Sequence, residues 1–209
     1  MIPNMFRFRN ARLLTMIILG ICTTASVGAW SLRTHFAQGQ GRTRTIDKAY
    51  TRNEVIEFEE IRVSRKSIEP GKAFDEDDDW LDKTVLKVKN ISNKPIVYLS
   101  VNLDFPETKT TGSEMTYPVT FGKQPGSRFP QNNDSFFMLP GDSLEVPLTQ
   151  HYAKVKAFIE HRLSMTEIKK VELRIHFVIF ADKTGWAAGN FYKQDPNDPD
   201  HYINVGNNP

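Results

Sequence analysis

Cysteine is nearly missing from this 209-residue chain, and its single copy, Cys22, sits inside an N-terminal apolar run. The rest of the chain therefore has no internal disulfide and no thiolate metal site, so its stability must come from a core. Nucleophile signatures are missing as well: there is no Gly-x-Ser-x-Gly elbow and no glycine-rich phosphate loop between a strand and a helix. The five histidines are scattered, and no two stand at the three- or four-residue helical spacing that aims both rings at one ion. These absences argue against an enzyme, and no cofactor is expected. A basic field is also lacking. The formal charge of +2 includes Arg7, Arg9, Arg12 and Arg33 in the first 37 residues, which hold no acid; beyond them 23 basic residues face 25 acids. A slightly acidic body does not suit a polyanion, which excludes nucleic-acid binding.

Residues 1–12 are basic, and residues 13–22, LLTMIILGIC, form an apolar run of signal-peptide length. Val27 and Ala29 fit the small-residue rule for cleavage after Ala29. With Trp30 and Leu32 included, the run approaches the ~20 residues that span a bilayer, so an uncleaved anchor stays open, as does lipidation at Cys22. The only membrane contact expected is through this segment, 1–37. On any of these readings the body is exported, periplasmic or extracellular. Residues 38–53 are polar and read as a linker, 54–193 as the folded domain, and 194–209 as a flexible tail rich in Pro, Asp and Asn.

What is abundant is large apolar surface, with 14 Phe, 6 Tyr and 3 Trp. Residues 55–63, VIEFEEIRV, begin the domain as a strand. Ile56 and Phe58 share one face and Ile61 and Val63 the other, unless an extra residue intervenes, which predicts a β-bulge at Glu59 and Glu60. Residues 84–105, TVLKVKNISNKPIVYLSVNLDF, read as a hairpin, two strands joined by a turn through Asn90 to Pro95. In its second strand Val97, Leu99, Val101, Leu103 and Phe105 face the core, and Tyr98, Ser100, Asn102 and Asp104 face outward.

The stretch LKVKNISNKPIVYLSVNLDF resembles the second and third strands of bacterial immunoglobulin-like β-sandwich domains, where an apolar strand ends in Asn, turns through polar residues and returns as a long alternating strand. The likeness extends over residues 54–193 and is to exported bacterial proteins of unknown function. It implies an all-β, immunoglobulin-like antiparallel sandwich at the cell envelope, and it implies no catalytic residue. Antibody-type features do not carry over, because there is no cysteine pair.

Residues 106–142 form a long loop with one short strand at 115–121. Residues 143–148 are a strand with Leu144, Val146 and Leu148 inward, and Pro147 assigns it to a sheet edge. Thr149 is placed to cap a helix over 150–163, with an apolar stripe of Tyr152, Val155, Ile159 and Leu163. Residues 171–180, VELRIHFVIF, form a central strand beside 97–105, with Val171, Leu173, Ile175, Phe177 and Ile179 inward.

Three candidate sites emerge. The acidic run Asp75 to Asp79 and the tail acids Asp195, Asp198 and Asp200 have oxygen ligands suited to calcium, but they lack an EF-hand pattern, and the plain reading is solvated charge. If the two long strands are neighbours, Tyr98, Asn102, Asp104, Arg174 and His176 share an outward face that offers donors, acceptors and an aromatic platform. Trp186, with Phe191, Tyr192 and the 106–142 loop, offers a surface for a glycan or small ligand. The leading expectation is a non-catalytic binding or structural module that contacts another envelope protein through a sheet edge or the helix face.

Overall fold

The computed structural model describes residues 42–111, 114–123 and 135–206. The segment read from the sequence as signal or anchor, the first residues of the expected linker and residues 124–134 of the expected loop lie outside them. Among the described residues no helix is long and apolar enough to cross a membrane.

The body is mostly β. Its strands are β1 (Thr43–Lys48), β2 (Ile56–Val63), β3 (Lys66–Ser67), β4 (Ala73–Asp75), β5 (Thr84–Asn90), β6 (Ile96–Phe105), β7 (Met115–Gly122), β8 (Ser143–Pro147), β9 (Lys170–Phe180), β10 (Thr184–Ala187), β11 (Asn190–Gln194) and β12 (Tyr202–Gly206). A 3-10 turn covers Pro106–Thr111, and the helix α1 covers Thr149–Leu163. A small sheet runs β3-β2-β5-β8. A large sheet of eight strands is built around β9, with β6 and then β7 on one side. On its other side β9 meets β1 along Lys170 to Leu173 and β10 near Val178 and Ile179. Beyond these lie β4 next to β1, and β11 and β12 next to β10. The pairings are antiparallel except that between β1 and β9, which is parallel.

Both sheets feed one core. Ile56, Ile61, Leu86 and Val88 of the small sheet join Leu99, Val101, Leu103, Val171 and Leu173 of the large one. Val155 and Ile159 of α1 are buried in the same cluster, with Tyr152 and Leu163 packed against it, so the apolar stripe read from the sequence is the face that docks. The bulge at Glu59 is present: β2 pairs Phe58 with Val88 and Glu60 with Lys87, leaving Glu59 over, and this keeps Ile61 and Val63 on the core side. β8 is an edge strand of the small sheet, and β9 lies beside β6, both as the sequence implies.

Five local expectations are corrected. Residues 84–105 are not a hairpin, because β5 belongs to the small sheet and β6 to the large one. The cause is Asn90, fully buried, whose Nδ2 donates to the Lys94 and Met138 carbonyls while its Oδ1 accepts from the Ser92 N–H and Oγ. Those bonds shape residues 91–95 into an arch between sheets. Second, a register shift after Ile96 puts that residue, not Val97, in the core. Third, a shift between Ser100 and Val101 inverts the end of β9, so Val178 and Phe180 enter the central cluster while Phe177 and Ile179 turn to the other face, where Ile179 is still buried. Fourth, Thr149 does not cap α1; its hydroxyl donates to the Asp82 carbonyl, and Leu148 holds the N-cap position. Fifth, part of the polar linker is β1 and part of the flexible tail is β12. Alternation cannot reveal such strands, whose place is set by backbone pairing with neighbours far along the chain.

Candidate functional site

On the outer face of the large sheet, β6 and β9 set Asn102 beside Arg174 and Asp104 beside Glu172. Arg174 grips Asp104 with a two-pronged fork, Nε to Oδ2 at 2.8 Å and Nη2 to Oδ1 at 3.0 Å, and the Thr116 hydroxyl of β7 donates to the same Oδ1 at 2.6 Å. Asn102, Asp104 and Arg174, expected on one face if the two long strands are neighbours, do adjoin, but the expected exposure of Asn102 and Asp104 is not found. Tyr98, Asn102 and Asp104 are 3%, 5% and 5% exposed, so they are not a solvated face open to a ligand. Asp104 spends both oxygens within the sheet. Among the described residues the buried Asn102 Oδ1 has no hydrogen-bond partner, but it is also out of a ligand's reach.

His176 is exposed as a whole, yet desolvation of its imidazole, followed by the Arg174 guanidinium, lowers its pKa. Tyr98 turns its ring edge-on to Phe177, and burial raises the pKa of its phenol. Phe177 in turn meets Tyr192 of β11 and Tyr202 of β12, both edge-on. The phase shift in β9 thus creates an aromatic group of four on the outer face, which strict alternation hides by assigning Phe177 to the core.

Trp186 is fully buried in the core and cannot stack on a sugar. Phe191 packs against that core, and Tyr192 is half-buried against Phe177, so no exposed coplanar pair exists among the described residues of this group. Within 106–142, the described residues form the 3-10 turn, β7 and the approach to β8, where Phe137 and Leu139 stand exposed on either side of the buried Met138.

The acidic run is not merely solvated. Glu76 lies 3.8 Å from Lys66, Asp77 pairs with Lys83, Asp78 takes Arg44 at 2.7 Å and also Arg42, and Asp79 takes Lys156 at 3.0 Å together with the Tyr152 hydroxyl. Arg44 is wholly buried and also donates to the Ile168 carbonyl. The loop is therefore a clasp that fixes β1 and α1 to the body. Among the described residues no group of His, Cys, Asp or Glu is arranged to hold a metal ion. Asp195 and Asp198 accept from the backbone N–H groups two residues on, closing turns. A cleft beside α1 mixes Asp78, Lys156, Glu160 and Glu167, of which Lys156 is already paired with Asp79 and Asp78 with Arg44.

Comparison with protein-family models, with curated proteins and with solved structures finds no match to this chain. Function must therefore be argued from the molecule's own surfaces, and its sheet edges are the most informative. β3 and β4 have two and three residues. β7 carries Pro118 in mid-strand, and β8 carries Pro147 and Glu145, the latter paired with Arg62. Each is a recognised way of blunting an edge. β12, Tyr-Ile-Asn-Val-Gly, has five residues, no proline and no charge, with Ile203 and Val205 46% and 50% exposed. Sequence reading missed it because its neighbours Asp195, Pro196, Asp198 and Pro199 give the region a disordered composition.

Proposed function

We propose that this chain is an exported bacterial envelope protein whose body is a non-catalytic binding module that works by protein–protein contact. The fold reading that goes with it is an immunoglobulin-like sandwich in the broad sense of about seven principal strands in two sheets around one core. Lettered A to G in chain order, β1, β2, β5, β6, β7, β8 and β9 keep the C–F and D–E neighbours of a constant domain, while B and G have exchanged sheets. Export is inferred from the basic, apolar and small-residue order of the first 29 residues.

The observation that carries the binding reading is the outer edge of β12, with which no strand pairs among the described residues. The backbone donors and acceptors that point away from β11 suit strand addition, in which main-chain bonds supply affinity and alternate side chains supply selectivity. The β8 edge nominated by the sequence is the weaker one, since Pro147 removes a donor and Glu145 is engaged by Arg62. The burial of Trp186 removes the ring on which glycan binding rested. The reading is tested with a photo-crosslinking amino acid at Asn204 of the full chain in intact cells. Adducts to a polypeptide are expected, and a chain that stays uncrosslinked at Asn204 and at a second probe on β8 sinks the proposal.

A further inference from the structure

We infer that the partner for the β12 edge is a second copy of the same edge, joined antiparallel about a two-fold axis at Ile203; this rests on the reading of the body as a protein-binding module. The direction of the backbone groups selects the register. The His201 carbonyl accepts from the Asp195 N–H at 2.9 Å and therefore faces β11. Alternation then turns the N–H and C=O of Ile203 toward β11 as well, and those of Tyr202 and Asn204 toward the open side. Val205 is the extra residue where the pairing passes from Tyr192 and Asn204 to Phe191 and Gly206, so regular pairing is confined to the strand before it.

Two such edges complement each other when Ile203 lies opposite its own copy. Tyr202 then exchanges two main-chain hydrogen bonds with Asn204 of the second copy, and Asn204 exchanges two with Tyr202, four in all. Ile203 and its copy form the non-hydrogen-bonded pair, in which side chains approach most closely, so two exposed apolar side chains cover each other. Charge does not oppose the pairing, because β12 carries none. The nearest like charges, Lys193 beside Ile203 on β11 and its copy, would stand about three strand spacings, ~14 Å, apart, beyond the Debye length at physiological ionic strength. A contact of this size is small for a stable dimer, so the association is weak and reversible, and the two large sheets become one continuous sheet.

The test uses the full chain with Cys22→Ser, so that no native thiol interferes. Ile203→Cys, at a close cross-strand pair, should give mainly a reducible covalent dimer under mild oxidation, while Ile91→Cys, equally exposed on the arch after β5, should stay monomeric. In sedimentation equilibrium up to several hundred micromolar, the unmodified chain should dimerise, and Ile203→Lys should weaken dimerisation at least tenfold with no loss of thermal stability. A chain monomeric throughout, a dimer insensitive to Ile203→Lys, or equal disulfide yield at both cysteine positions overturns the inference. Adducts from Asn204 to a different polypeptide, with no self-association, overturn self-pairing while the binding reading stands; absence of adducts of any kind removes both.

Discussion

Trp80 and Trp186 are both wholly buried, yet their indoles are treated differently. Trp80 Nε1 donates to the Ile168 carbonyl at 2.8 Å, whereas Trp186 Nε1 has no partner among the described residues. A buried donor left unmatched has lost its water without compensation, so its removal restores part of what truncation takes away. Replacing each in turn by Phe loses similar volume but opposite hydrogen-bond accounts. Trp80→Phe should therefore destabilise the chain more than Trp186→Phe, by about 1–2 kcal/mol, in urea titrations followed by circular dichroism. Equal losses would mean that packing alone sets both values.

At the level of elements, two glycines of left-handed backbone separate conformational strain from collision. Gly122 ends β7 at φ 80°, opposite Tyr98, and a Cβ there would run into the Val97 carbonyl. Gly141 has φ 86°, but among the described residues nothing lies within 4 Å of its would-be Cβ. Gly141→Ala should cost about 1 kcal/mol for the strained conformation alone. Gly122→Ala adds a backbone clash and should cost about 2–4 kcal/mol, read as a lower midpoint in thermal melts. The same scale shows what could be read from the sequence. The helix stripe and the bulge at Glu59 were legible because each is a local break or match in periodicity, visible within a few residues. The arch at Asn90 was not, because the hydrogen bonds that turn the chain between sheets include one to Met138, far along the sequence. Nor was the inverted end of β9, where Phe177, Val178, Ile179 and Phe180 are apolar on both faces and leave no alternation to follow. The candidate face was legible as a set of neighbours, since Asp104 and Arg174 do meet. Its burial was not, because a polar residue that is paired within the sheet looks in sequence like one that faces water.

The molecule as a whole carries two groups of titrating side chains that act in separate pH windows. His151 is desolvated in its contact with Tyr117, 3.2 Å from the hydroxyl to Nδ1, and Lys154 adds repulsion; both lower its pKa, as desolvation and Arg174 do for His176. For a base, a folded pKa below the ordinary 6.5 means that the unfolded chain binds the proton more readily. The stability tied to these rings is therefore complete above about pH 6.5 and declines as pH falls through that value toward the lowered folded ones. The carboxylates behave oppositely in origin and later in titration. Hydrogen bonds from Tyr152 and Lys156 lower the pKa of Asp79, and one from Lys169 does most to lower that of Glu167, helped by Arg44. Their contribution is present above the ordinary values of 3.8 and 4.5 and is lost only as pH falls below them. Denaturant midpoints should therefore fall in two stages on acidification, the first beginning as pH falls through about 6.5 and the second only below about 4.5. The double substitution His151→Gln and His176→Gln should flatten the first stage and leave the second unchanged. A first stage of undiminished slope in that variant would assign it to other groups, and a single transition below pH 4.5 would show that neither ring differs between folded and unfolded chains.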